Sequence, residues 1–124
     1  MLADSTAIAT IAVKDIARAR KFYEDTLGLK CEESGQRDVL NYKVGKSKIL
    51  VYKSMFAGTN KATAVTWELD DVESVVRKLK ERGVKFEHYN LPGMTLSGDV
   101  HVAGTLKAAW FKDPDSNILA LVGG

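Results

Sequence analysis

An α+β fold of two tandem βαβββ modules follows from a pattern that the chain carries twice. Residues 8–31 read IATIAVKDIARARKFYEDTLGLKC, and residues 64–86 read AVTWELDDVESVVRKLKERGVKF. Each stretch is an alternating strand, an Asp, an amphipathic helix, a Gly and a second alternating strand. Asp15 precedes Gly28 by 13 positions and Asp71 precedes Gly83 by 12. The repeat predicts a single domain over 1–124, with modules at about 6–53 and 62–122 and a connector at 54–61. The expected architecture is a cupped mixed β-sheet with the helices on its outer face.

In the first module, Ala9, Ile11 and Val13 alternate with Ile8, Thr10 and Ala12. Both faces are largely apolar, as expected of a strand covered on both sides. Asp15 suits a helix N-cap, because its carboxylate can accept a hydrogen bond from a free first-turn amide. Ile16, Ala19, Phe22, Tyr23 and Leu27 follow at helical spacing, and Gly28 can stop the helix. Arg18, Lys21, Glu24 and Asp25 between them form a solvated face. Residues 29–35, 38–44 and 47–53 read as strands, the last two joined by a tight turn at Gly45-Lys46.

The second module opens with strand 63–69. Asp71 caps a helix with the apolar stripe Val72, Val75, Val76 and Leu79, and Gly83 ends it. This stripe puts Val65, Trp67 and Leu69 under the helix and turns Ala64, Thr66 and Glu68 to the concave side. Strand 84–89 comes next. Residues 91–105, LPGMTLSGDVHVAGT, are rich in Gly and small polar residues and predict a long mobile excursion. Strands at about 106–112 and 117–122 flank a turn at Asp113-Pro114-Asp115-Ser116-Asn117.

Composition bounds the function from outside. With 18 Lys and Arg against 16 acids, the formal charge is +2 and the basic residues are interspersed. Phosphate recognition needs a clustered basic face, so nucleic acid is not an expected partner. A single Cys31 allows no intrachain disulfide and no CxxC pair, and it reads as a small core hydrophobe. No apolar run approaches the roughly 20 residues that span a bilayer. MLADSTA lacks the basic start and apolar stretch of a secretory signal, so the expectation is a cytoplasmic protein with no membrane partner.

Two segments carry a more specific resemblance. VKDIARARKFYEDTLGLK and WFKDPDSNILALV make the chain similar to the vicinal oxygen chelate superfamily, which includes glyoxalase I, extradiol dioxygenases, and fosfomycin and bleomycin resistance proteins. Ser116 stands where the family's turn usually has Gly. Metal-dependent members take ligands from the first and last strands of each module. That resemblance places the ligand positions at Ile8, Ala64, Ala120 and either Leu50 or Val51. None offers a lone pair, and a hard divalent ion needs several oxygen or nitrogen donors. The expectation is therefore no metal, no cofactor and no catalytic residue.

Other chemistry is thinly represented. Asp99 and His101 form a weak D-x-H pair that reads as a surface loop. His88, next to Glu87 and Tyr89, reads as an exposed or hydrogen-bonded structural histidine. Trp110 alternates with Phe111, so if Phe111 packs under the helix, Trp110 faces the cup and suits a planar organic ligand. Thr10, Thr66, Glu68, His101 and Trp110 are the candidate ligand-binding residues, with the 91–105 excursion closing over them. Glu68 could recognise a cationic group.

The resemblance implies a metal-free small-molecule-binding protein of the bleomycin resistance branch, a homodimer that sequesters a partly aromatic ligand. One alternative is a lyase, isomerase or dioxygenase using a divalent metal. Another is an accessory domain with a vestigial pocket, which nothing in the sequence separates from sequestration.

Overall fold

The computed structural model describes residues 2–32 and 37–124, and among these it holds ten strands and two α-helices. The chain divides into two compact units, Met1–Thr59 and Asn60–Gly124. The fold class is α+β, and each unit has one mixed sheet and one α-helix.

In the first unit, β1 (Ala9–Val13) leads to α1 (Ile16–Arg20), and the Asp15 carboxylate accepts from the Arg18 amide at 3.1 Å. The helix does not run on as a plain α-helix. Lys21–Thr26 form a π-helical stretch, in which the Leu27 amide reaches the Phe22 carbonyl at 3.0 Å. Three strands follow: β2 (Lys30–Glu32), β3 (Val39–Val44) and β4 (Ser47–Lys53). Residues 33–35 of the predicted strand 29–35 lie outside the described residues. The sheet order is β1-β4-β3-β2, with β1 parallel to β4 and the other pairs antiparallel.

Ile11, Val13, Ala19, Tyr23, Tyr42, Ile49 and Val51 fill the core of this unit. Two expectations are corrected here. The second face of β1 is only partly covered, since Thr10 is exposed and Ala12 half-buried. Nor does Glu24 belong to a solvated face. It is half-buried, and it accepts the Tyr42 hydroxyl at 2.9 Å and pairs with Arg20 at 3.1 Å. The Tyr42 ring is fully buried and stacked on Tyr23, so its hydroxyl needs an acceptor inside the protein. Glu24 supplies one. Cys31 is half-buried in β2.

The second unit repeats the parallel pair. β5 (Thr63–Leu69) runs parallel to β10 (Ile118–Gly123), which is antiparallel to β9 (Leu106–Lys112). Between them, α2 (Val72–Glu81) is capped by Asp71, whose carboxylate accepts from the Ser74 amide at 3.0 Å. It buries Val72, Val76 and Leu79. At its end, Gly83 takes φ +90°, its amide reaches the Lys80 carbonyl and the Val84 amide reaches that of Leu79. This is the paired C-terminal closure in which a left-handed Gly satisfies the last carbonyls.

The expected 84–89 strand contracts to β6 (Phe86–Glu87). The predicted mobile excursion 91–105 is instead part of the sheet. β7 (Thr95–Ser97) and β8 (Val100–Ala103) form a hairpin, and β8 pairs with β9. Gly98, at φ +62°, supplies the turn between them. A glycine read as freedom of movement is used here to close a two-strand ladder. Ser116 takes the left-handed backbone, φ +68°, that its turn requires.

Two measurements check this account. Asp71→Ala should cost about 0.5–2 kcal/mol of stability in chemical denaturation, and an unchanged midpoint would mean that the carboxylate does not cap. Burial first, and the Glu24 carboxylate second, push the Tyr42 phenol above its ordinary range. An unfolded tyrosine releases its proton near about pH 10, whereas the folded one keeps it. Stability from this group is therefore complete below that pH and declines as pH rises above it. Tyr42→Phe should lose stability less steeply than the native chain above about pH 10. Equal slopes would show that the phenol is not protected.

Candidate functional site

Paired residues on neighbouring strands share a face of the sheet, and faces alternate along each strand. Phe111 pairs with Leu119 and Phe86, all on the side where α2 packs. Phe111 is 1% exposed and stacks with Trp67 at 6.5 Å, so Trp67 lies on the helix side. Trp110 then points away from α2. It pairs with Ala120, and Ala120 pairs with Thr66. The next row on that face is Glu68, Val122, Ala108 and His101.

The structure thus brings Thr66, Glu68, His101 and Trp110 to one face of the second unit. Thr10 belongs to the first unit, where its hydroxyl donates to the Ile8 carbonyl at 3.2 Å. Thr66 and Glu68 are exposed, and Trp110 is half-buried. His101 is not a surface-loop residue as expected. It is 1% exposed, and its Nε2 accepts the Tyr89 amide at 2.9 Å. An accepting Nε2 puts the ring proton on Nδ1 in the neutral imidazole. That Nδ1 is buried and has no hydrogen-bond partner among the described residues.

Three rings meet around it. His101 and Trp110 are edge-to-face at 5.0 Å, Tyr89 and Trp110 edge-to-face at 5.4 Å, and Tyr89 and His101 stacked at 6.1 Å. Tyr89 was not among the expected site residues. Its signal was the parity with Glu87, which pairs with Trp110 and fixes the face. Asp99 does not join His101. Its carboxylate binds Lys80 and His88, each at 2.7 Å, and the Lys80 contact foremost holds it below the usual carboxylate range.

Among the described residues, two recesses on this unit bear on the site. One, of about 270 Å³, is lined by Lys61, Ala62, Thr63, Tyr89, Leu91, Trp110 and Ile118. The other, of about 420 Å³, is lined by Glu68, Leu69, Asp70, Val122 and Gly123. Trp110 and Glu68 therefore share a face but line different recesses. Of the segment 91–105, Leu91 lines the first recess, while β7 and β8 form a hairpin of the sheet rather than a lid.

The positions that the resemblance assigns to metal ligands carry no donor atoms. Leu50 pairs with Thr10 and so shares its face, whereas Val51 is buried. Among the described residues no group of three His, Cys, Asp or Glu could hold a metal ion. These side chains do not fit a divalent cation.

Comparison with known proteins agrees with the geometry. The model of the Glyoxalase/Bleomycin resistance protein/Dioxygenase superfamily matches residues 5–121, and the chain belongs to this superfamily. Among solved structures, a glyoxalase family protein from Enterococcus faecalis is 19% identical with a TM-score of 0.73, covering 98% of this chain and 99% of that one. A lactoylglutathione lyase from Agrobacterium tumefaciens is 16% identical with a TM-score of 0.71, over 98% and 94% of the two chains. The fosfomycin resistance protein FosX from Mesorhizobium loti is 11% identical with a TM-score of 0.67, over 98% and 92%. Likeness at this identity establishes the fold and brings no activity with it. A search of curated proteins gives no significant match. No helix among the described residues is long and apolar enough to cross a membrane.

The buried imidazole has a measurable consequence. His101→Leu removes the acceptor of the Tyr89 amide and should cost about 1–3 kcal/mol. Hydrogen exchange at the Tyr89 amide should accelerate in the same variant. Unchanged protection there would place the role of His101 elsewhere.

Proposed function

We propose that this chain is a metal-free small-molecule-binding protein of the glyoxalase/bleomycin resistance type. It takes a small, partly aromatic ligand on the face of the second unit that carries Trp110. The observation that supports this most is an aromatic-walled recess on a sheet whose metal positions are apolar. An indole half-exposed at a recess edge offers ring area at little conformational cost. Trp110 is the anchor and Thr66 a polar contact on the same face, while Glu68 lines the neighbouring recess and serves cationic ligands there. Thr10 is proposed separately, as a polar contact on the first unit, and His101 positions the Trp110 and Tyr89 rings. The resemblance to bleomycin resistance proteins adds a homodimer, a single two-module domain and a cytoplasmic location to the proposal.

The purified chain should carry no stoichiometric Ni, Zn, Mn or Fe, and chelators should leave its melting temperature unchanged. A panel of aromatic and cationic compounds, followed by tryptophan fluorescence, tests binding itself. Trp110→Ala should weaken an aromatic ligand by more than about 1 kcal/mol. Glu68→Gln should weaken only cationic ligands. A ligand that binds with affinity untouched by Trp110→Ala would move the site off this face.

A further inference from the structure

Building on that reading, we infer that the recess beside Trp110 selects an aromatic acid: a flat ring system bearing one anionic group. The lining divides into two chemistries. Tyr89, Leu91, Trp110 and Ile118 present rings and aliphatic carbon, and Lys61 is the one charged residue among the lining side chains. Lys61 is exposed and has no carboxylate partner among the described residues. Its ammonium is available to an incoming anion. The segment that carries it is shaped locally, since the Asn60 side chain accepts the Ala62 amide at 3.0 Å across Lys61.

The aromatic wall is held before any ligand arrives. Tyr89 is tied through its amide to the buried His101, and Tyr89 and His101 both pack on Trp110. Rings fixed in this way lose little freedom on binding, which favours a rigid planar partner over a flexible chain. Size narrows the choice further. A dry cavity of about 150 Å³ accepts one benzene, so a recess of about 270 Å³ suits one or two fused rings with a single substituent. Charge excludes the opposite class from this recess, because its lining holds no carboxylate. Glu68 and Asp70 line the other one.

Three isosteric probes separate the possibilities: naphthoate, its neutral amide naphthamide, and the cation naphthylmethylamine. Each is titrated into the 124-residue chain while the Trp110 indole N–H signal is followed by NMR, with Trp67→Phe used to assign it. The inference expects naphthoate to bind roughly two- to fivefold tighter than naphthamide, the range of a solvent-exposed charge pair. Lys61→Gln should abolish that preference while leaving naphthamide binding unchanged. Salt near 1 M, where the Debye length is about 3 Å, should abolish it as well. Equal binding of acid and amide, unaltered by Lys61→Gln, would overturn the selection for acids and leave the small-molecule reading in place. Tightest binding of the amine would overturn it too, and would direct attention to the Glu68 recess. If none of the three shifts the Trp110 signal at millimolar concentration, the inference fails together with the reading on which it rests.

Discussion

Between β9 and β10 the chain reverses around the buried carboxylate of Asp113. Asp113 is 4% exposed, and its Oδ1 accepts the amides of Asp115 and Asn117, each at 2.9 Å. Its Oδ2 accepts the Asn117 side-chain amide at 2.8 Å, while the Asp113 amide donates to the Asn117 carbonyl at 3.0 Å. Hydrogen bonds to a charged acceptor contribute about 1.5–3 kcal/mol each, so alternative turn geometries are strongly disfavoured. The register of β9 against β10 hangs on this. A slip of one residue would exchange the two faces of β9, sending Phe111 outward and Trp110 beneath α2. The face that Trp110 presents therefore depends on a turn that lies outside the candidate site.

A second constraint acts from the other edge of β9. β6 pairs with the end of β9 near Trp110, and β8 pairs with the end near Leu106. The gap between those two short pairings is where His101, Tyr89 and Trp110 meet. A buried imidazole with one nitrogen committed to a backbone amide cannot rotate freely, and it pins the chain that follows β6 against β8. Stability and site geometry are here the same interaction.

Much of this was legible in the sequence, and the reasons are local. Asp15 and Asp71 precede apolar stripes at helical spacing, so the caps could be read directly, as could the end of α2 at Gly83. The faces of β5 followed from alternation and the apolar stripe of α2, which put Thr66 and Glu68 together, and Trp110 joined them on the condition that Phe111 packs under the helix. What was missed depends on partners distant in sequence. Glu24 looks like any polar helix position until Tyr42, 18 residues away, brings its hydroxyl to it. Val100, His101 and Val102 alternate like a strand, but a run of four residues amid glycines is too short to outweigh its composition. Lys61 looked like the end of a connector, because nothing local says that the chain there borders Trp110. The π-helical stretch at Lys21–Thr26 has no signature in the sequence that we can identify.

The apolar residues at the resemblance-derived metal positions shift the terms on which a ligand could be held. A chelated ion would fix oxygen atoms by strong directional bonds; Ala120, between Thr66 and Trp110 in the ladder, offers only carbon. Recognition must then come from surface area and weak charge. Burying one flat ring contributes roughly 1.5–3 kcal/mol, whereas an exposed lysine adds at most about 1 kcal/mol. On this face the rings would set how tightly a ligand is held, and Lys61 would set which ligand is preferred. Such a division produces modest affinity with tolerance for ring shape and a bias in charge. Under the proposed reading, this division would admit a class of related ring systems, since contact area tolerates small displacements that directional bonds do not.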